Sequence, residues 1–176
     1  MESNLYGKTS ILTYSGLTFD YAEMNPKSIA IEDIAHALSY IPRWAGHTQV
    51  FYSVAQHLCW CHDNIENKEF AFEALMHDSP ETYLGDCPKP LKNLLIDYMI
   101  LEEKLSHIIA KKFGYSYPHN PEIKVVDKKA LLWEYNNIKI ASPGVDVWHY
   151  ERAEQEFLNR FYKYVAIPVT QNMKHE

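Results

Sequence analysis

The chain has 176 residues, of which 47% are hydrophobic and 23% are charged, so it can bury the core of one domain of ordinary size. Its formal net charge of −6 argues against a nucleic-acid polymer as a partner, because binding along a phosphate backbone requires a basic surface. The sequence shows neither a signal peptide nor an apolar stretch of membrane-spanning length, so we expect a cytoplasmic protein with no membrane partner.

The first predicted element is a small β-hairpin within residues 9–24, where two β-prone runs flank the turn-forming pair Ser15-Gly16. The apolar residues then take up helical spacing, which predicts a first helix from about residue 30. Asp33 is expected to favour the positive end of that helix dipole. Pro42 ends the helix, because a proline disfavours helical geometry in the residue before it.

Five further helices are predicted, and together they give one all-α domain spanning residues 1–176, with a helical core over residues 30–165. Their expected limits are Thr48 to the polar run 62–68, Phe70 to Ser79-Pro80, Leu91 to Phe113, Ile123 to about Ile140, and Glu151 to Val165. Gly114 is a plausible helix stop. The three cysteines are expected to be free thiols, since an odd number with a Cys-x-Cys pair in a helical pattern is not a disulfide framework.

The adjacent residues His77 and Asp78 are the centre of the predicted site. Glu81 follows His77 by four residues, so on a helix the two share one face. The apolar stripe of Phe70 and Ala74 leads into this polar group, which predicts that it points inward. Inward-facing imidazole and carboxylate groups need a partner, and a metal ion such as zinc, manganese, iron or cobalt is one.

Two further donors are candidates from the residues alone. His57 lies at the flank of the buried stripe of the second helix, and Asp127 lies in the first turns of the fifth. His47, in a connector, is an alternative to His57. The second His-Asp pair, His62-Asp63, is interpreted as a solvated helix end because its neighbours are polar.

These residues belong to a wider pattern that resembles the HD-domain phosphohydrolases, in particular small bacterial 5'-deoxynucleotidases and phage dATP triphosphohydrolases. The resemblance covers roughly residues 10–165 and implies a single HD-domain helical bundle with a small N-terminal hairpin. The matching stretches are Arg43-Trp44, Ser53 to His57, Ala74 to Asp78, Glu81, Gly85-Asp86, Pro90 to Lys92, and Asp127.

The resemblance favours His57 over His47 and implies a divalent transition metal (Co, Mn or Zn, with Mg as a further option). The implied metal ligands are His57, His77, Asp78 and Asp127. It also implies that Glu81 assists the attacking water and that Asp86 lies near the sugar or phosphate.

The same resemblance places Arg43 and Trp44 in the substrate pocket. Arg43 and Lys92 suit phosphate, because a guanidinium fork and an ammonium group both bind phosphoryl oxygens. Relatives of this kind commonly self-associate, so a homo-oligomer is expected by resemblance.

The expected function is hydrolysis of a small 2'-deoxynucleotide by metal-activated water. Two substrates stay open: a monophosphate, releasing phosphate, and a triphosphate such as dATP, releasing triphosphate. The alternative from another class is a non-catalytic HD sensor domain that binds a nucleotide without turnover.

Overall fold

The computed structural model describes residues 7–139 and 144–165, and helices dominate both ranges. The α-helices are α1 Ile31–Tyr40, α2 Val54–Asn64, α3 Ala71–Met76, α4 Glu81–Leu84, α5 Lys89–Lys92, α6 Ile96–Phe113, α7 Pro121–Glu134 and α8 Tyr150–Phe161. Short 3-10 turns cover Pro26–Ser28, Arg43–Gly46 and Lys68–Phe70, and a π-helical turn, Tyr135–Lys139, follows α7. None of the helices in these ranges is long and apolar enough to cross a bilayer.

The predicted hairpin is confirmed as strands β1 Ser10–Leu12 and β2 Thr18–Asp20, paired antiparallel. Asp33 of α1 accepts hydrogen bonds from the Ser15 backbone N–H and hydroxyl at 2.6 and 2.8 Å. The first turn of α1 therefore fixes the hairpin turn, a tertiary role that the helix-dipole argument did not predict. Phe19 of β2 is fully buried and stacks on Tyr83, so the hairpin closes one side of the core.

Helix α2 lies at the centre of the bundle and contacts α1, α3, α7 and α8. It is buried almost all round, as expected of a helix with neighbours on every side. Leu58 and Cys59 belong to the larger apolar cluster, whereas Cys61 and Ile65 belong to a smaller one against α7. His57 lies on this helix and is completely buried.

The start of α2 differs from the prediction. Thr48 is not its N-cap; Ser53 is, accepting a hydrogen bond from the Gln56 backbone N–H. The reason is a long-range contact, because the chain around Ser53 pairs with the residues directly after α1. The Arg43 N–H donates to the Tyr52 carbonyl oxygen, and the Val54 N–H donates to the Ile41 carbonyl oxygen.

The third helix ends earlier than the predicted break at Ser79-Pro80. Helix α3 ends at Met76, and residues 77–80 form tight turns before α4 begins at Glu81. Pro80 lacks the N–H that would continue the ladder. His77 and Pro80 nevertheless keep right-handed helical dihedrals. The chain direction through residues 77–80 is therefore close to the helical one from which the shared face of His77 and Glu81 was predicted.

The predicted long helix from Leu91 to Phe113 is two helices, α5 and α6, separated by residues 93–95. Gly114 does end α6, in the left-handed conformation and with its N–H bonded to Ala110 O. Helix α8 ends at Phe161, four residues before the predicted limit, and Ile140 lies outside the described residues.

The His62-Asp63 pair lies at the end of α2 with Asp63 exposed, as predicted, but His62 is buried and the pair is also hydrogen-bonded to α8. His62 is buried and its Nδ1 lies 2.7 Å from Asp63 Oδ1, while Arg160 of α8 donates from Nε and Nη2 to both oxygens of Asp63 at 3.0 and 2.6 Å. Burial opposes ionisation, but the bonds from His62 and Arg160 outweigh it and hold the pKa of Asp63 well below its ordinary value. The pair ties α2 to α8.

We predict that Asp63→Asn lowers the free energy of unfolding by about 1 kcal/mol at neutral pH, since solvent screening limits a half-exposed ion pair to that size. A carboxyl whose folded-state pKa is lowered stabilises the fold above its unfolded pKa of about 4 and loses that contribution as the pH falls. The deficit should therefore shrink in urea titrations at about pH 3. Asp97→Asn, on the exposed start of α6, is the control. A deficit that stays constant with pH would contradict the prediction.

Candidate metal centre and adjoining cleft

Four predicted donors from three parts of the chain converge at one point. His57 comes from α2, His77 and Asp78 follow α3, and Asp127 comes from α7. The Nε2 atom of His57 lies 3.5 Å from both Asp78 Oδ2 and Asp127 Oδ1. The Nε2 atom of His77 lies 3.4 and 4.0 Å from the same two oxygens, and the two imidazole centroids are 5.5 Å apart.

These separations fit donors that share one ion. Ligand atoms at roughly 2.1 Å from a cation stand about 3.0–3.5 Å apart at ordinary coordination angles, and further apart when opposite each other. Direct hydrogen bonds to Nε2 would be shorter. The Nε2 atom of His77 is buried and has no hydrogen-bond partner in the described part of the chain, which is costly unless something else satisfies it.

Each of the two imidazoles is oriented by a hydrogen bond at its Nδ1 atom, which leaves Nε2 directed towards the carboxylates. His57 Nδ1 donates to Glu134 Oε1 at 2.6 Å, and His77 Nδ1 donates to the carbonyl oxygen of Ala74 at 2.8 Å. A proton held at Nδ1 leaves the lone pair of Nε2 free, which is how metal-ligating histidines are usually prepared. The residues present therefore fit a divalent transition metal.

Two residues at this centre were missed by the sequence reasoning. The Sγ atom of Cys61 lies 3.7 Å from His57 Nε2, and the ligand atoms of His57, Cys61 and His77 are all within 4.8 Å of one another. Glu134 is completely buried against His57. Spacing was the available signal: Cys61 follows His57 by one helical turn, and Glu134 follows Asp127 by two turns.

A cleft of about 450 Å³ opens beside the donors. All five residues predicted for catalysis or substrate binding border it together with Asp78 and Asp127, whereas His57 and His77 lie beneath its floor. Its predicted polar and aromatic lining comprises Arg43, Trp44, Glu81, Asp86 and Lys92. The structure therefore brings all nine predicted site residues to one place.

Arg43 is surrounded by acids. Its Nη1 lies 3.9 Å from both Asp78 Oδ2 and Asp86 Oδ2, and its Nε lies 3.4 Å from Glu134 Oε2. Two lysines, Lys89 and Lys92, also border the cleft, and Lys92 is already paired with Glu102 at 2.5 Å. The carboxylates outnumber the basic groups, so a bound cation would relieve their repulsion.

The pKa of Glu81 is affected by these neighbouring carboxylates. It is buried, and its Oε2 has no hydrogen-bond partner among the described residues. Burial and the negative charges of Asp78 and Asp86 raise its pKa well above the ordinary value. A carboxyl group beside a cleft whose pKa is raised in this way is suited to proton transfer.

The turn that carries Trp44 has an unusual backbone. Trp44 and Ala45 have φ of 59° and 50°, in the left-handed region that side chains disfavour, and Gly46 follows at 78°. The indole N–H of Trp44 donates to Glu134 Oε2 at 2.9 Å. Strained turns of this kind persist only where surrounding contacts hold them.

The fold and site define a helical protein with a buried His/Asp cluster under an acidic cleft. No protein-family model matches the chain. The uncharacterized protein YfdR of Escherichia coli K12 is 45% identical over 128 residues, which are 73% of this chain and 71% of YfdR. An uncharacterized protein of Rhodobacter capsulatus is 34% identical over 109 residues, 57% of this chain and 56% of that protein. The chain belongs to the family of YfdR.

We predict that the purified protein binds one equivalent of Co²⁺ and that His77→Ala weakens this binding more than about 100-fold, since even outer-shell partners of a ligand are worth about 10–100-fold. Isothermal titration calorimetry measures both. His36→Ala is the control, because His36 pairs with Glu154 away from the cluster. Equal affinities in the two variants would contradict the assignment.

We predict that Ala45→Gly raises the free energy of unfolding by up to about 1 kcal/mol. Relief of left-handed strain gains about 1–2 kcal/mol, and the greater freedom of glycine in the unfolded chain offsets about 0.5–1 kcal/mol of it. Ala37→Gly, within α1, should change stability in the opposite direction. Chemical denaturation that shows the same sign for both substitutions would disprove strain at Ala45.

Proposed function

We propose that this protein is a metal-dependent phosphohydrolase with an HD-type helical bundle, acting on a 2'-deoxynucleotide. The observation that carries the proposal is the buried Nε2 atom of His77, which has no hydrogen-bond partner among the described residues and lies near two carboxylates beside a cleft lined by Arg43 and Lys92. A cation would satisfy that nitrogen, and the two basic side chains suit a phosphate.

The proposed ligands are His57, His77, Asp78 and Asp127. Two imidazoles with a thiol nearby support a cobalt, manganese or zinc ion more than magnesium, which prefers oxygen ligands and retained water. When bound, such an ion supplies Lewis-acid activation of water and of a phosphoryl oxygen.

The cleft residues supply binding and proton transfer. Arg43 presents a buried guanidinium held by carboxylates, so its orientation is fixed before any ligand arrives. Lys92 reaches a phosphate by exchanging Glu102 for a phosphoryl oxygen. The Glu81 carboxyl borders the cleft, and burial together with the charges of Asp78 and Asp86 raises its pKa, so it is suited to exchange a proton with the attacking water or the leaving oxygen.

The apolar side of the cleft suits the sugar and base. Trp44, Pro88 and Leu131 contribute apolar surface to its lining. A cleft of about 450 Å³ lies in the usual range for small-molecule sites and admits a nucleotide of either length. The monophosphate and the triphosphate therefore remain alternatives that the released product distinguishes.

We predict that Co²⁺-loaded protein hydrolyses either dAMP with release of phosphate or dATP with release of triphosphate. Glu81→Gln should lower kcat by about 10²–10⁴-fold, the usual contribution of a proton-transfer group, while Co²⁺ affinity is retained. Phosphate release and ion chromatography of the products measure the reaction. Glu69→Gln makes the same change on the exposed turn before α3 and is the control.

The outcomes separate the alternatives. If the protein binds nucleotides but releases no product from any member of a panel of dNMPs and dNTPs, the result would favour the non-catalytic sensor. Full activity in Glu81→Gln would remove Glu81 from the proposed chemistry. Activity that persists after removal of all divalent metal by a chelator would overturn the metal-dependent proposal itself.

A further inference from the structure

Glu134 is the one carboxylate in the described chain that bonds both to a donor of the metal centre and to the turn lining the cleft. Its Oε1 accepts the Nδ1 proton of His57 at 2.6 Å. Its Oε2 accepts the indole proton of Trp44 at 2.9 Å and the Nε proton of Arg43 at 3.4 Å. The side chain is completely buried, so no water competes for these bonds.

We propose that Glu134 is a positioning residue. It fixes the position of the metal ligand His57 relative to the Arg43-Trp44 turn, which lines the substrate cleft. This inference rests on the proposed metal-dependent function. Glu134 touches neither ion nor substrate. It acts through His57 on one side and through Trp44 and Arg43 on the other.

The backbone strain at Trp44 supports this role. Two successive non-glycine residues in the left-handed region cost free energy, and the bond from the Trp44 indole to Glu134 is a contact that holds the turn in place. Arg43 begins the same turn and reaches Asp78 and Asp86 with its far end. A shift of Glu134 would therefore move groups on both sides of the cleft floor.

The chemistry of the amide shows why a carboxylate is required. All three partners of Glu134 donate, and a carboxylate accepts at both oxygens. A glutamine accepts at one oxygen and donates from its nitrogen. If the oxygen faces His57, the amide N–H₂ meets the donors of Trp44 and Arg43. If the amide oxygen instead faces Trp44 and Arg43, the amide N–H₂ faces His57. The imidazole must then accept at Nδ1 and carry its proton at Nε2, where a metal would bind.

The test uses Co²⁺ alone as the probe of the metal centre and inorganic phosphate as the probe of the cleft. Glu134→Gln should weaken Co²⁺ binding about 10–100-fold, as expected for loss of a ligand's outer-shell partner, and should change the d–d absorption of the bound ion. Trp44→Phe removes the indole N–H together with the five-membered ring but keeps an aromatic side chain at the turn. It should leave Co²⁺ affinity and spectrum as in the wild type while weakening phosphate binding.

Asp33→Asn is the matched control. Asp33 is also buried and accepts two hydrogen bonds, but it does so at the hairpin, away from the centre. It should lower thermal stability without altering the Co²⁺ spectrum. If Glu134→Gln does not fold, Glu134→Asp keeps the charge but is one methylene shorter, and it should still weaken Co²⁺ binding more than Asp33→Asn does.

The failures are distinguishable. Wild-type protein that binds no Co²⁺ overturns the proposed function and this inference together. Wild-type binding that Glu134→Gln or Glu134→Asp reproduces in affinity and spectrum overturns the inference alone. Equal spectral changes in Trp44→Phe and Glu134→Gln would also overturn it, because the two oxygens of Glu134 would then not act on different partners.

Discussion

The hydrogen bond between His57 and Glu134 lies where α2 and α7 face each other, and much of the site geometry depends on it. Both side chains are completely buried, and the Nδ1 to Oε1 distance is 2.6 Å. An ionisable group buried alone costs several kcal/mol, so each of these residues is tolerable in the core only beside the other. Their bond sets the approach of α2 to α7. Since Asp127 lies two turns before Glu134 on α7, the same bond places Asp127 against His57.

The cleft contains features that cost stability. Glu81 is buried and Asp86 is partly buried near Asp78, and this burial raises the pKa of both Glu81 and Asp86. Left-handed backbone at Trp44 and Ala45 borders the same space. Folding alone would favour apolar side chains and relaxed dihedrals at these positions. Unfavourable features that gather at one cleft, in a core otherwise packed with apolar residues, are typical of a site kept for binding or chemistry.

Local signals in the sequence were enough to predict much of the fold. The hairpin at Ser15-Gly16 and the helix stop at Gly114 follow from turn residues and from periodicity. The set of four donors, with His57 preferred to His47, came instead from the resemblance to the HD-domain phosphohydrolases. The start of α2 was not predictable in this way, because Ser53 competes with Thr48 as the cap and wins through pairing of the preceding segment with the end of α1. Such pairing is a tertiary effect that no local pattern contains.

The missed residues have a different cause. Glu134 and Cys61 stand at helical spacing from predicted donors, but the same spacing also describes ordinary core positions and solvated faces. Only the packing of α2 against α7 shows that Glu134 is buried and that its partners are donors. A fully buried carboxylate is rare enough to be informative, and burial is a property of the assembled bundle.

The two His-Asp pairs differ in which of their donors and acceptors are already hydrogen-bonded. Both nitrogens of His62 are engaged, with Asp63 at 2.7 Å and the Tyr164 hydroxyl at 2.9 Å, and Asp63 is held by Arg160. The imidazole of that pair therefore has no nitrogen left to bind a cation. His77 has one nitrogen fixed by a backbone carbonyl, and the other is buried without a partner among the described residues, facing carboxylate oxygens. The residue types are identical, so the distinction lies in which donors and acceptors the surrounding fold leaves unused.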